Sequence, residues 1–309
     1  MLRFLVRRLG TMLLALWLVA TVTFIMMHSV PGGPFASEKQ VPPAVLKNLN
    51  ARYHLDDPLW KQYADYLINL AQGDFGPSFK LDRTVNEIIA EAFPVSATLG
   101  FVAVTFAVIV GLFLGVVSAL RQNRWPDYIA MALATFNFSV PSFILSGLLM
   151  YVFAFKLRLL PPAMWGSWQQ VVLPALALSA LPTAFIARLM RSSMLEVLQQ
   201  DYIKTARAKG LSERVIVMRH AVRNAIMPVV TYLGPLIAAV LTGSFVIEHI
   251  FAIPGLGKYF VNSVLGRDYT MIMGTTIFYS AFLMLMNLIV DLVYTLIDPR
   301  IKLADVKEV

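Results

Sequence analysis

Between Leu9 and Ile297 the sequence repeats one pattern six times: a run of mostly apolar residues long enough to cross a bilayer. A helix needs about 20 such residues to span about 30 Å of hydrocarbon, because each residue adds about 1.5 Å. The runs are Leu9 to Met27, Val95 to Leu120, Tyr128 to Phe155, Val171 to Met190, Val229 to Ile247 and Met271 to Ile297. Peptide groups in lipid must pair within the chain, so such runs fold as helices. The expectation is an all-α integral membrane protein with six transmembrane helices. Composition agrees, with 58% hydrophobic residues and a mean hydropathy of +0.68. Soluble domains lie near about 45–50% apolar.

The first run follows Arg3, Arg7 and Arg8 and lacks a small-x-small cleavage site before Pro31. It is also longer than a typical signal-peptide core, so it reads as a retained anchor. The net charge of +8 comes from bases clustered between apolar runs, which points to lipid headgroups and orientation rather than to nucleic acid. With the N-terminus inside, 16 of the 26 Lys and Arg fall on the inner side, eight of them between Arg188 and Arg223. Both termini are therefore expected in the cytoplasm.

Chemistry is sparse. There are no cysteines, which excludes disulfides, thiolate metal sites and a Cys nucleophile. His28, His54, His220 and His249 lack metal-site spacing. No G-x-S-x-G, H-E-x-x-H or Walker motif occurs, and Gly255-Leu-Gly-Lys258 lacks phosphate-loop spacing and the following Ser/Thr. No catalytic residue, metal ligand or bound cofactor is expected. Glu248 and Asp291 lie near span ends and read as caps or snorkelling groups. An ion-coupled carrier needs a titratable group near the midplane, and none stands out.

The segment from Pro31 to Pro94 is a long outer loop with eight acids and several aromatics. A helix is expected from about Pro58 to Ala71, with Leu59, Tyr63, Tyr66, Leu67 and Leu70 on one face, and a short interfacial helix from Val85 to Phe93. The loop serves either as a cover for the bundle or as a docking surface for a soluble substrate carrier. Polar and helix-breaking residues concentrate in spans three to five: Asn137, Ser139, Pro141 and Ser142; Ser179, Pro182 and Thr183; Thr231, Gly234, Pro235, Thr242 and Gly243. Packing explains each singly. Their concentration favours a weakly charged cavity, suited to a substrate held through its backbone or by size.

One polar run interrupts the inner side, from Asp201 to Pro228. It reads as two helices broken at Gly210, the first from about Ser193 to Lys209, with Met194, Leu198, Tyr202 and Ala206 at helical spacing. A glycine suits the positive φ that often follows a helix end. Ser212 is placed to cap the second helix, which carries Val215, Met218, Val222 and Ile226 on one face.

This bent basic elbow resembles the cytoplasmic coupling loop of the membrane subunits of ATP-binding-cassette importers. That pattern is Glu-Ala-Ala, three residues, Gly, nine residues, Ile-x-Leu-Pro. Ala206 and Gly210 match it, Lys204 and Thr205 stand at its Glu and first Ala, and Ile226-Met-Pro228 ends it one residue looser. Thr205 to Gly210 is similar to the peptide and nickel branch. The Arg3 to Phe35 anchor, the His54-Leu-Asp-Asp-Pro58 turn, the Gly73-Asp-Phe-Gly-Pro-Ser78 segment and the Asp298-Pro-Arg300 end resemble the first membrane subunit of oligopeptide permeases.

The resemblance implies a type I importer permease fold: an anchor at 1–30, an extracytoplasmic segment at 31–94, a transmembrane domain at 95–300 with its coupling loop at 191–228, and a tail at 301–309. It implies a bacterial inner-membrane location and four kinds of partner: a second related permease subunit, two ATPase subunits using ATP and Mg²⁺, an extracytoplasmic peptide-binding protein, and lipid. It also implies an ATPase contact at Tyr202, Ala206, Arg207, Ala208, Lys209, Gly210 and Leu211. Dipeptide or nickel import is the alternative within the family. A lone secondary carrier or a scaffold subunit is the alternative outside it.

Overall fold

The computed structural model describes residues 2–31, 33–35, 43–53, 55–241 and 243–297. His54, Thr242, the Asp298-Pro-Arg300 end and the side chain of Asp291 lie outside the described residues. The helices in chain order are α1 (Leu2–Ser29), α2 (Pro43–Arg52), α3 (Leu59–Ala71), α4 (Val85–Leu120), α5 (Trp125–Ser139) and α6 (Ser142–Leu149). A π-helical stretch, Met150–Lys156, continues α6. Then come α7 (Trp168–Leu198), α8 (Asp201–Ala208), α9 (Glu213–Val215), a second π-helical stretch (Ile216–Ala221) and α10 (Val222–Ala225). The chain continues as α11 (Met227–Leu241), α12 (Phe245–Ile250), α13 (Leu256–Gly266) and α14 (Tyr269–Ile297). No strand is formed among the described residues beyond an isolated bridge between Pro77 and Thr84.

Five helices are long and apolar enough to cross a membrane. The α5–α6 pair with its π-helical continuation, counted as one bent span, makes a sixth. That span is broken at Val140–Pro141 and turns by 110°. Proline lacks an N–H and disfavours helix in the residue before it, so the third apolar run is two helices rather than one rod.

The second span also departs from expectation. Val85 to Phe93 is not a separate interfacial helix. Thr84 caps α4 with a capping box to Glu87, and the helix runs unbroken through Pro94 to Leu120. The axis of the bundle is the α4–α7 seam. Leu99, Ala103, Ala107, Gly111, Gly115 and Ala119 recur every fourth residue and are buried along one face of α4. A Cβ on Gly111 would lie 2.8 Å from Ile186 Cβ, and one on Gly115 would lie 2.6 Å from Met190 Cβ. Lipid tails are as apolar as leucine, so close backbone approach and van der Waals contact hold such helices.

The segment between α1 and α4 docks on one edge. Tyr63, Tyr66, Leu67 and Leu70 of α3 pack with Ala20 and Phe24 of α1 and with Met273 and Ile277 of α14. Leu59, expected on that face, is exposed. Buried Asp268, just before α14, accepts bonds from Ser78 Oγ, Phe79 N (3.1 Å), Thr270 Oγ1 (3.0 Å) and Met271 N (3.2 Å). It thereby pins the Gly73–Ser78 motif to the start of the last span.

Candidate functional site

The elbow starts later than the sequence suggested. α7 stays helical through Leu198, the chain breaks at Gln199–Gln200, and only then does α8 begin. At its far end Gly210 has φ +78°. Leu211 N donates to Ala206 O (3.3 Å) and Gly210 N to Arg207 O (2.9 Å), the paired bonds of a Schellman stop. Arg207 then spans the bend, with Nε 2.8 Å from Glu213 Oε1. Asn224 Nδ2 donates to Tyr202 Oη at 2.8 Å and closes the two limbs.

The elbow has one buried face. Ile203, Ala206, Ile216, Val217, Ala221 and Ala225 join the main core with Met190 and Met194 of α7. The expected face of the second limb holds only in its later half: Val222 and Ile226 pack against the core, while Val215 and Met218 are exposed. The π-helical stretch from Ile216 to Ala221 adds a residue to the turn and rotates the register. Ser212 holds the cap position without a side-chain bond. Of the expected ATPase-contact residues, Tyr202, Arg207, Ala208, Lys209, Gly210 and Leu211 are exposed, and Ala206 is buried beneath them. The outward surface thus mixes cations with Tyr202, Leu211, Val215 and Met218.

A cleft of about 550 Å³ lies between α5, α6, α7 and α11. Asn137, Pro141, Ser142, Pro182, Tyr232 and Pro235 are among its lining residues, and among the described residues no charged side chain lines it. The helix breakers bring these chain segments together. The other expected path residues sit elsewhere. Ser179 and Thr183 are buried and bond backbone carbonyls of their own helix, at Leu176 (3.0 Å) and Ser179 (2.7 Å). Ser139 and Thr231 are exposed outside the lining, and Thr231 bonds Met227 O at 3.1 Å.

Two charged sites were not legible in this form. Glu248 neither snorkels nor sits at a surface: it is fully buried. Its Oε2 accepts from Gly257 N (2.8 Å) and Lys258 N (3.3 Å), in the first turn of α13, where the helix dipole favours a carboxylate. A Cβ on Gly243 or Gly257 would come within 2.5 Å or 2.9 Å of that carboxylate, and one on Gly255 would also collide with it. The glycines of the outer turn therefore make room for an acid. The second is Asp127 in the first turn of α5. It pairs with Arg191 of α7 at 2.8 Å and is almost wholly buried. An acid three residues after Arg124, at a predicted span start, was the available signal.

The family model described as "Binding-protein-dependent transport system inner membrane component" matches residues 111–303, and its N-terminal companion matches 1–100. The dipeptide transport system permease protein DppB of Bacillus subtilis (strain 168) is 54% identical over 98% of this chain and 99% of its own length. The oligopeptide transport system permease protein OppB of Escherichia coli (strain K12) is 47% identical over 98% of this chain and all of its own. Among solved structures, an inward-facing MetNI methionine ABC transporter aligns with a TM-score of 0.59 at 17% identity, covering 68% of this chain and 96% of that one. That likeness bears on the fold alone, and it agrees with the helical order described above. On these matches, the chain belongs to the family of inner membrane components of binding-protein-dependent transport systems.

Proposed function

We propose that this chain is one of two permease subunits of an ATP-driven importer of peptides, and that it works by alternating access. The observation that carries the reading is the elbow. It is a helix–Gly–helix whose inner face belongs to the bundle core and whose other face exposes cations, among them Arg207 and Lys204 paired only within the elbow, beside the apolar side chains of Leu211, Val215 and Met218. A partner that grips this surface moves the base of α7. A second related permease subunit completes the pathway, two ATPase subunits bind the two elbows, and an extracytoplasmic binding protein delivers the cargo. Both termini lie on the cytoplasmic side of a bacterial inner membrane. Binding of ATP to the partners then biases a two-state rocking of the bundle.

The names of the relatives support peptides as cargo and include both dipeptide and oligopeptide systems. The uncharged cleft suits cargo held through its backbone, a feature peptides share whatever their side chains. The 54% identity to a dipeptide permease favours short peptides as a second reading beside oligopeptides. The test is reconstitution in vesicles with the ATPase, partner permease and binding protein, using labelled dipeptides and pentapeptides in separate arms. ATP-dependent accumulation of either supports the reading. Uptake by the chain alone under an ion gradient refutes it.

A further inference from the structure

Asp127 sits where a carboxylate is costly unless fully paired. It is fully paired. Arg191 Nε reaches Oδ1 at 2.8 Å and Nη2 reaches Oδ2 at 2.8 Å, a bidentate fork. Asn123 N donates to Oδ2 at 3.0 Å, Ser118 Oγ donates to Oδ1, and Arg191 Nε also lies 3.0 Å from Ser118 Oγ. The cluster joins the end of α4, the following turn, the start of α5 and the lower part of α7.

Its place in the fold gives it two neighbours. On one side, Met190 and Met194, near Arg191 on α7, are fully buried in the same core cluster as Ile203, Ala206 and Ile216 of the elbow. On the other, α5 (Trp125–Ser139) carries Asp127 in its first turn, and Asn137 near its far end lines the cleft. A helix of this length is a rod of about 20 Å. A second α5–α7 link, from Arg188 Nη2 to Thr135 Oγ1 at 3.0 Å, is exposed.

An apolar contact would hold the two helices together as firmly, and replacing a buried ion pair by one is often neutral for stability. What an apolar contact does not do is fix angle and register. A bidentate fork does, because both hydrogen bonds are directional.

We propose that the Asp127–Arg191 pair is a transmission pin: a positioning pair that makes α5 follow the base of α7, so that movement imposed on the elbow reaches the cleft. The inference rests on the coupling reading of the elbow. In the full complex, three quantities decide it: co-purification of partners, peptide uptake, and ATP hydrolysed. Asp127→Asn and Arg191→Gln are expected to assemble, to hydrolyse ATP, and to move about tenfold less peptide per ATP, within the roughly 5- to 150-fold range of coupling between sites. Arg191→Lys, which keeps the charge and loses the fork, is expected to fall between them and wild type.

A wild-type ratio of uptake to ATP in the assembled variants overturns the pin, as does uptake that falls only in step with assembly. Where Asp127→Asn fails to assemble, Arg191→Lys decides by the same ratio. Gly210→Val separates the two ideas. If it keeps the wild-type ratio, the coupling reading fails; if it loses the ratio while the Asp127 and Arg191 variants keep theirs, only the pin fails.

Discussion

Replacing Gly210 with Asn, Ala and Val gives a graded perturbation whose size follows from the structure. Beyond its chain neighbours, no described atom lies within 4 Å of the place where a Cβ would stand, so the Cβ itself meets open space. The cost that all three substitutions share is that of holding φ near +78°. That region costs an ordinary L residue about 1–2 kcal/mol, Asn less, and a β-branched residue most. Against it stand Ile203 and Ile216, both fully buried, which anchor the two limbs. Burying one such side chain stabilises by about 1.5–3 kcal/mol, so the limbs stay docked while the bend between them relaxes. A penalty of one or two kcal/mol changes the bent population by a factor of about 5–30. Peptide uptake per ATP in reconstituted vesicles should therefore decline in the order Gly, Asn, Ala, Val, with hydrolysis retained. Hydrogen exchange over residues 201–226 should loosen in the same order. Wild-type uptake per ATP in the Val variant, or Asn worse than Val, would show that the left-handed bend has no part in coupling.

The Arg207 guanidinium, through its hydrogen bond first and its charge second, holds the Glu213 carboxyl below its usual range. A depressed folded-state value means the pair's contribution is complete above the ordinary carboxylate pKa and is lost only as pH falls through the lowered value. Exchange protection of residues 207–213, corrected for intrinsic rates, should thus be flat from pH 8 down to about pH 5 and weaken in stronger acid. Glu213→Gln should be less protected throughout and lack the acid limb; identical profiles for the two proteins would rule the pair out. Gly115→Leu forces a side chain into Met190 at the α4–α7 seam and should destabilise by about 1–3 kcal/mol or more, read as a lower thermal midpoint in detergent. An unchanged midpoint would place the helices farther apart than described. Asp268→Ala removes the acceptor for Ser78, Phe79, Thr270 and Met271, and bonds to a charged acceptor contribute about 1.5–3 kcal/mol each. Residues 73–83 should then become a protease target while the spans stay intact, and wild-type cleavage would argue that α3 alone holds the segment.

The spans were readable because hydropathy is a local property, and so was Gly210, whose neighbours on both sides have helical periodicity. What escaped was what depends on distant partners. Asp127 and Arg191 are 64 residues apart, and each looks like an ordinary basic-side charge until the helices are assembled. Glu248 reads as a boundary acid until three glycines and the α13 N-terminus close over it. Hydropathy also runs smoothly through Val140–Pro141, so the 110° bend left only the proline as a trace. Val215 and Met218 of the elbow's second limb fell off the buried face that Val222 and Ile226 keep, because a π-helical stretch breaks the 3.6-residue period on which the expectation rested. One legible signal went unread: the small residues at Ala103, Ala107, Gly111, Gly115 and Ala119 mark the central seam at four-residue spacing.

The docking of α1, α3 and the Gly73–Ser78 motif against α14 has a mechanical consequence. Among the described residues, none of those lining the cleft comes from α1, α3 or α14. The first helix and the outer segment are thus an outrigger carried by the final span. A load placed on them is borne by α14 and leaves the described lining of the cleft untouched.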